Sequence, residues 1–322
     1  MALIILKKFD NFVIISLNYL NSLRRRPMFD RIFANYLVSK QVLGPECLTE
    51  IYKHQDEKRV RLGVIAVSEK LLTEEQSDEI NRLQSETDKR FGDIAVEKGY
   101  LTDNQVSRLL TLQGNSFLSF VQSAVDLNYI SMSDIDKMLN TYQKDNGYTL
   151  TDMENLKSCD IDRIVPIYVC DLEGYACDII GVAARAISRL VDYHMYIERP
   201  YKSDKLITEN LCHQASCGDF NILLAISGDE ASIMSNAIGF SGEQYIDDLE
   251  DAMDSTCELI NCINGLFATE MSKRGIDIDM NAPSFKGGRG VINSEEIINL
   301  PVYVFDKMIT FSIVMCDNYT IE

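Results

Sequence analysis

The chain has 322 residues, 46% of them hydrophobic and 25% charged, a globular composition with enough length for two ordinary domains. A formal charge of −18 and a pI near 4.6 argue against a broad nucleic-acid surface, which needs clustered Lys and Arg. The nine cysteines include no Cys-x-x-Cys pair; Cys170, Cys177, Cys257, Cys262 and Cys316 fall in apolar runs, as expected of reduced, buried thiols in a cytoplasmic protein.

In chain order, residues 1–27 come first, with apolar stretches broken by Lys7, Lys8 and Asp10 and followed by Arg24–Arg26. They are too interrupted for a membrane span, and their charge order is wrong for a signal peptide. The expectation is an extension or mis-assigned start, with a membrane-surface helix as the rival.

From Met28 the dominant signal is a repeat of 29 residues. RLGVIAVSEKLLTEEQSDEINRLQ (61–84) and RFGDIAVEKGYLTDNQVSRLLTLQ (90–113) match at ten of 24 positions without a gap. Weaker copies in the same phase lie on either side, through Leu37, Leu43, Ile51 and Gln55 upstream and Ala124, Ile130 and Met138 downstream. Four units over about 32–143 each read as a short apolar helix, a turn and a second helix. Thr73 and Thr102 have the character of N-caps, with Ile80, Leu83, Leu109 and Leu112 as the inward stripe. A helical repeat domain is expected over 28–155.

The two central units alone carry Arg-x-Gly, as Arg61-Leu62-Gly63 and Arg90-Phe91-Gly92. The 24-residue length, the five-residue spacer Ser85–Lys89 and the Arg-Leu-Gly opening resemble the tandem motif of the N-terminal domain of MshE-type secretion ATPases, which binds cyclic di-GMP. The resemblance implies that Arg61 and Arg90 contact phosphate or guanine, while Gly63 and Gly92 admit the ligand to the backbone. Departures are Lys70, in place of a glycine, and Ala66 and Ala95, in place of a larger apolar residue. The other reading is an inert helical adaptor.

Near Cys159–Pro166 the character changes, and 160–322 reads as α+β. A helix is expected near 171–192, strands at Met195–Ile197 and Asn221–Ser227, and a short helix at about 229–237. A long helix follows at about 244–273, then strands near 276–281, 300–305 and 308–316. Cys212-His213-Gln214-Ala215-Ser216-Cys217 has unusual spacing for a metal site, so none is expected. FKGGRGVI (285–292) lacks the GKS ending of a phosphate loop and reads as a turn.

The segment DSTCELINCINGLF (254–267) is the most informative. At about 100° per residue, Asp254, Glu258, Asn261 and Gly265 share one narrow face of a helix, opposite Ile260, Ile263, Leu266 and Phe267. That strip contains no Lys or Arg, and its glycine costs the helix about 1 kcal/mol relative to alanine. A contact surface explains both better than a solvated face.

Asp254-x3-Glu258-x2-Asn261, with Gly265 and then Pro283, resembles the active-site signature of the CheC/CheX/FliY chemotaxis phosphatases. The resemblance covers approximately 160–322 and implies two long helices packed on antiparallel strands. It also implies hydrolysis of the aspartyl phosphate of a CheY-type response regulator. Glu258 would pair with a lysine of the phosphorylated receiver domain, and Asn261 would orient the attacking water; Asp254, Gly265 and Pro283 would contact the partner. The receiver brings Mg²⁺, so no cofactor of the chain's own is expected. A second copy of the motif is expected at Asp171–Ala176, with alanine in place of asparagine. One functional copy resembles CheX and implies a homodimer. The alternative is a non-catalytic signalling adaptor that binds a receiver, its repeats sensing cyclic di-GMP or docking a protein.

Overall fold

The computed structural model describes residues 28–57, 60–87, 89–158 and 160–322. The expected extension at 1–27 lies outside them. The chain divides into two units, Phe29–Leu150 and Thr151–Glu322.

The first unit consists of four helix pairs: α1 (Met28–Ser39) and α2 (Pro45–Glu57), α3 (Leu62–Ser68) and α4 (Glu74–Thr87), α5 (Phe91–Glu97) and α6 (Asp103–Thr111), α7 (Ser116–Asp126) and α8 (Met132–Asp145). The 29-residue period is visible in the backbone. Gln41, Lys70, Gly99 and Asn128 all have left-handed φ, between 56° and 71°. Each ends the first helix of its pair in the same way: Lys70 N–H donates to Val67 O and Leu71 N–H to Ala66 O, both at 2.9 Å, and the other three corners repeat this pair of bonds. The arrangement is a Schellman motif, which satisfies carbonyls that a helix end would otherwise leave bare.

Each corner also fixes which flanking residues turn inward. Leu43, Leu72, Leu101 and Ile130, two residues after each corner, are all buried, as are Leu37, Ala66, Ala95 and Ala124, four residues before it. Thr73 and Thr102 then cap the second helices with reciprocal bonds to Gln76 and Gln105, Gln76 N–H reaching Thr73 Oγ1 at 3.2 Å and Gln105 N–H reaching Thr102 Oγ1 at 3.3 Å. The middle units share an aliphatic core including Ile65, Ile80, Ile94 and Leu109. The outer units meet through aromatic rings: Phe117 lies 5.0 Å from Phe29 and 5.7 Å from Phe33, centroid to centroid.

In the second unit α9 (Leu150–Ser158) and α10 (Ile161–Tyr168) precede α11 (Tyr175–Leu190), a sheet, α12 (Glu230–Ser241) and α13 (Leu249–Lys273). The strands are β1 (Tyr196–Ile197), β2 (Tyr201–Thr208), β3 (Asn210–Gly218), β4 (Ile222–Gly228), β5 (Ile278–Met280), β6 (Ser284–Lys286), β7 (Gly290–Val304), β8 (Lys307–Val314) and β9 (Tyr319–Ile321). All pairings are antiparallel, in the order β1-β7-β8-β4-β3-β5, with β2 and β9 also on β7 and β6 also on β3. The α+β expectation and the helical first unit are observed. The expected 244–273 helix starts at Leu249, where the Asp248 side chain accepts from Asp251 N–H; residues 285–292 are two strand ends joined by a turn.

Alternation along β3 assigns its faces. Cys212, Gln214 and Ser216 are buried toward α13, while Leu211 joins Leu223, Ala225 and Ile292 in a core on the other face. The strands β2 and β3 lie outside the expected elements. Five of the eight residues of β2 are exposed, and β3 carries polar groups at inward positions where a half-buried strand usually alternates apolar ones.

Because Gly99 is left-handed and a Cβ on it would meet nothing within 4 Å, any cost of a side chain there is conformational. Gly99→Ala is expected to destabilise the first unit by about 1 kcal/mol and Lys70→Gly to stabilise it by a similar amount. Urea denaturation midpoints of the two variants check this; shifts of the same sign would contradict it.

Candidate functional site

The site is carried by α13. Its apolar residues Leu259, Ile260, Ile263 and Phe267 are buried, and it packs on β3, β4, β5 and β6 and against α11 and α12. Asn236 Nδ2 of α12 donates to Thr256 Oγ1 at 3.1 Å, and Ser241 of α12 lies 2.7 Å from Ser255, oxygen to oxygen, which fixes the helix laterally. The opposite face reaches solvent. Asp254 and Glu258 are exposed and make no ion pair among the described residues, and Asn261 and Gly265 are half-buried beside them. Leu266 corrects the expectation: it is 51% exposed rather than buried with Phe267, and with Met280, 43% exposed, it gives the strip an apolar margin.

Asn261 is held from below. Gln214 Nε2 donates to Asn261 Oδ1 at 2.8 Å and to the main-chain oxygen of Asn281 at 2.7 Å. Asn264 Nδ2 in turn donates to Gln214 Oε1 at 2.9 Å and to Ser216 Oγ at 2.7 Å. Gln214, Asn264 and Ser216 are buried, so this amide chain runs inside the β3–α13 interface. Pro283 stands between β5 and β6, two residues beyond the Asn281 carbonyl that anchors Gln214. The sequence motif is therefore brought together with three polar residues that motif reading did not include. One signal was present in the sequence, Asn264 on the buried side of the helix; Gln214 and Ser216 carried none, because β3 lies outside the expected strands.

A Cβ on Gly265 would come no closer than 3.7 Å to Met280 Cε, an ordinary contact. The internal packing does not require a glycine here.

The expected second motif copy does not form a helix face. Asp171 and Glu173 precede α11, which opens at Gly174 with φ 66°, and Ala176 is buried. The stretch parallel to Cys257-Glu258-Leu259-Ile260-Asn261 is Cys177-Asp178-Ile179-Ile180-Gly181. There Asp178 accepts from Arg274 Nη1 at 2.7 Å, Gly181 replaces the asparagine, and Arg185, in the place of Gly265, bonds Asp162 of α10 at 3.3 Å. One exposed strip remains.

The cysteine expectation also needs correction. The eight described cysteines are free thiols, but only Cys212 and Cys257 are buried, while Cys170 and Cys262 are exposed. The hydrogen bond with Cys257 and burial push the Cys212 thiol up, so it stays protonated. Cys212 and His213 point to opposite faces of β3, which separates them as metal ligands. Among the described residues no group of His, Cys, Asp or Glu is arranged to hold a metal ion, and no helix is long and apolar enough to cross a membrane.

In the repeats, Arg61 and Arg90 are N-caps of α3 and α5 with extended backbones. Arg61 pairs with Asp126 and, with Gly63, lines a cavity of about 560 Å³ whose lining also includes Glu74, Asp78 and Asp134. Arg90 is exposed, and neither it nor Gly92 is part of that lining. Both glycines are buried. A Cβ on Gly63 would collide with Ser77 Oγ of α4, and one on Gly92 would lie 2.7 Å from Val106 Cγ1 of α6.

No protein-family model matches the chain, and no curated protein matches it. Among solved structures it is similar to the chemotaxis protein CheX from Desulfovibrio desulfuricans, with 16% identity over 44% of this chain and 98% of that one and a TM-score of 0.38. The CheX–CheY–BeF3–Mg complex from Borrelia burgdorferi matches at 18% identity over 46% and 98%, TM-score 0.37. A CheC-like superfamily protein from Shewanella sp. PV-4 matches at 18% over 43% and 95%, TM-score 0.37.

The glycine geometry gives a direct expectation. Gly92→Ala destabilises the first unit by about 1–3 kcal/mol through overpacking, and adding Val106→Ala recovers part of that loss. A double-mutant cycle in urea measures the coupling; strictly additive effects would remove the packing role.

Proposed function

We propose that the second unit hydrolyses the aspartyl phosphate of a CheY-type receiver domain. One observation carries this reading: an unpaired carboxylate, Glu258, and a carboxamide of fixed orientation, Asn261, lie about one turn apart on an exposed helix face without a cation. Glu258 anchors the receiver through one of its lysines, and Asn261 enters the receiver's site to orient water in line with phosphorus. An acyl phosphate is already activated and the receiver supplies Mg²⁺, so the contributed group needs to position water rather than abstract a proton strongly. Carboxamide chemistry fits this role, because one side chain both donates and accepts. Leu266 and Met280 add apolar contact at the margin, and Gly265 leaves room for close approach.

For the repeats the geometry favours the adaptor reading. The cation at the cavity, Arg61, already has a carboxylate partner, and three further carboxylates line the space. A dianionic ligand would meet net negative charge there.

Phosphate release from a phosphorylated receiver tests the enzyme. Asn261→Ala is expected to lower kcat about a hundredfold, near 3 kcal/mol, whereas Glu258→Ala raises KM. Gly265→Ala is expected to raise stability by up to about 1 kcal/mol yet raise KM, a combination that a merely structural glycine would not give. A wild-type rate no faster than the receiver alone, with binding retained, would make the unit a non-catalytic adaptor.

Titration calorimetry of the full chain with cyclic di-GMP is expected to show no binding up to high micromolar concentration. Binding that disappears in Arg61→Ala would restore the nucleotide reading.

A further inference from the structure

We propose that Gln214 is a positioning residue for Asn261, and that a main-chain carbonyl, through Gln214, decides which end of the Asn261 carboxamide faces the partner. The inference rests on the phosphatase reading for its kinetic consequence, though not for its geometry.

The main-chain oxygen of Asn281 can only accept. The group 2.7 Å from it on Gln214 must therefore be the amino nitrogen Nε2. That nitrogen has a second proton, directed at Asn261 2.8 Å away, so the atom receiving it must be the carbonyl Oδ1. Orienting Gln214 in this way also turns its Oε1 toward Asn264, whose Nδ2 donates to it at 2.9 Å and to Ser216 Oγ at 2.7 Å. Both protons of Gln214 and both of Asn264 are thus used. Rotating the Asn261 amide by half a turn would set its Nδ2 against Gln214 Nε2, donor against donor, at a part-buried contact whose Gln214 side is closed to water.

What remains for a partner is the outward Nδ2–H₂ and the second lone pair of Oδ1. These are the donor and acceptor needed to hold a water molecule beside a phosphoryl group. Their direction is fixed before any partner arrives, so docking does not have to order this side chain. Gln214 touches neither partner nor phosphate in this arrangement; it acts through Asn261.

The test uses Gln214→Met, which keeps the length and removes the polarity. Two readouts are taken on the full chain: steady-state dephosphorylation of a phosphorylated receiver, and ¹⁵N relaxation of the Asn261 side-chain NH₂, assigned by its loss in Asn261→Asp. The expected result is a kcat lower by about tenfold to a hundredfold, with KM within about twofold. The Asn261 order parameter should also fall from a rigid to a mobile value. An unaltered order parameter overturns the proposal, and so does a rise in KM with kcat intact. If the wild type has no phosphatase activity, the phosphatase reading fails while the relaxation measurement still decides the relay. Should Gln214→Met not fold, Asn264→Ala withdraws the donor to Gln214 Oε1 one step further back and is read by the same order parameter in the same way.

Discussion

The hydrogen bond from Gln214 Nε2 to the main-chain carbonyl of Asn281 is the fixed point of the second unit's site. A peptide oxygen has no alternative role, so each amide joined to it loses the freedom to turn over. The chain extends from the β5–β6 connection through β3 to α13, buried at Gln214, Ser216 and Asn264 and part-buried at its two ends, the Asn281 carbonyl and Asn261. Burying polar groups among Leu259, Ile260, Ile263 and Phe267 is unfavourable unless each is satisfied. Here one atom is not: Asn264 Oδ1 has no partner. An orphan acceptor of this kind costs about 1–3 kcal/mol, and an aliphatic residue at 264 would avoid that cost. What the asparagine provides instead is the donor that locks Gln214.

This makes orientation, more than stability, the product of the interface. The same helix is fixed by the Asp248 cap, by the Asn236–Thr256 bond and by its apolar side. Asp254, Glu258, Asn261 and Gly265 therefore project from one rigid element. The contrast with α11 is instructive. At the matching positions Asp178 is engaged by Arg274, and Arg185 is drawn to Asp162. A carboxylate already paired with arginine, beside a glycine where the amide would be, cannot offer the same chemistry.

The repeats depend on a different constraint, the left-handed corner. Four residues of different type, Gln41, Lys70, Gly99 and Asn128, adopt it, so the Schellman bonds and the buried residue two positions later outweigh the local preference of each side chain. Gly63 and Gly92 show how one letter serves two explanations. A glycine that admits a ligand and one that admits a neighbouring helix look alike in sequence. Only Ser77 and Val106, each fourteen residues downstream in the same unit, supply the second explanation.

Legibility in the sequence followed the physics of each element. The long helix and its polar strip were readable because burial of one face imposes a period of 3.6. Leu266 was misplaced for a definable reason. It and Ile260 lie at roughly equal angles on either side of the strip, about 110–130° from its centre, yet Ile260 is buried and Leu266 exposed. Periodicity gives the axis of an amphipathic helix but not which flank its neighbours cover. Strand β3 was missed because its inward positions hold Gln214 and Ser216, where an apolar alternation marks most half-buried strands. The missed strand and the amide relay have one cause: a strand that orients the Asn261 amide has to carry amides and hydroxyls inward, and so lacks the apolar pattern by which strands are recognised. Polar residues at interior positions of an otherwise apolar segment are therefore the signal to follow, as Asn264 on α13 indicated from the other side of the same interface.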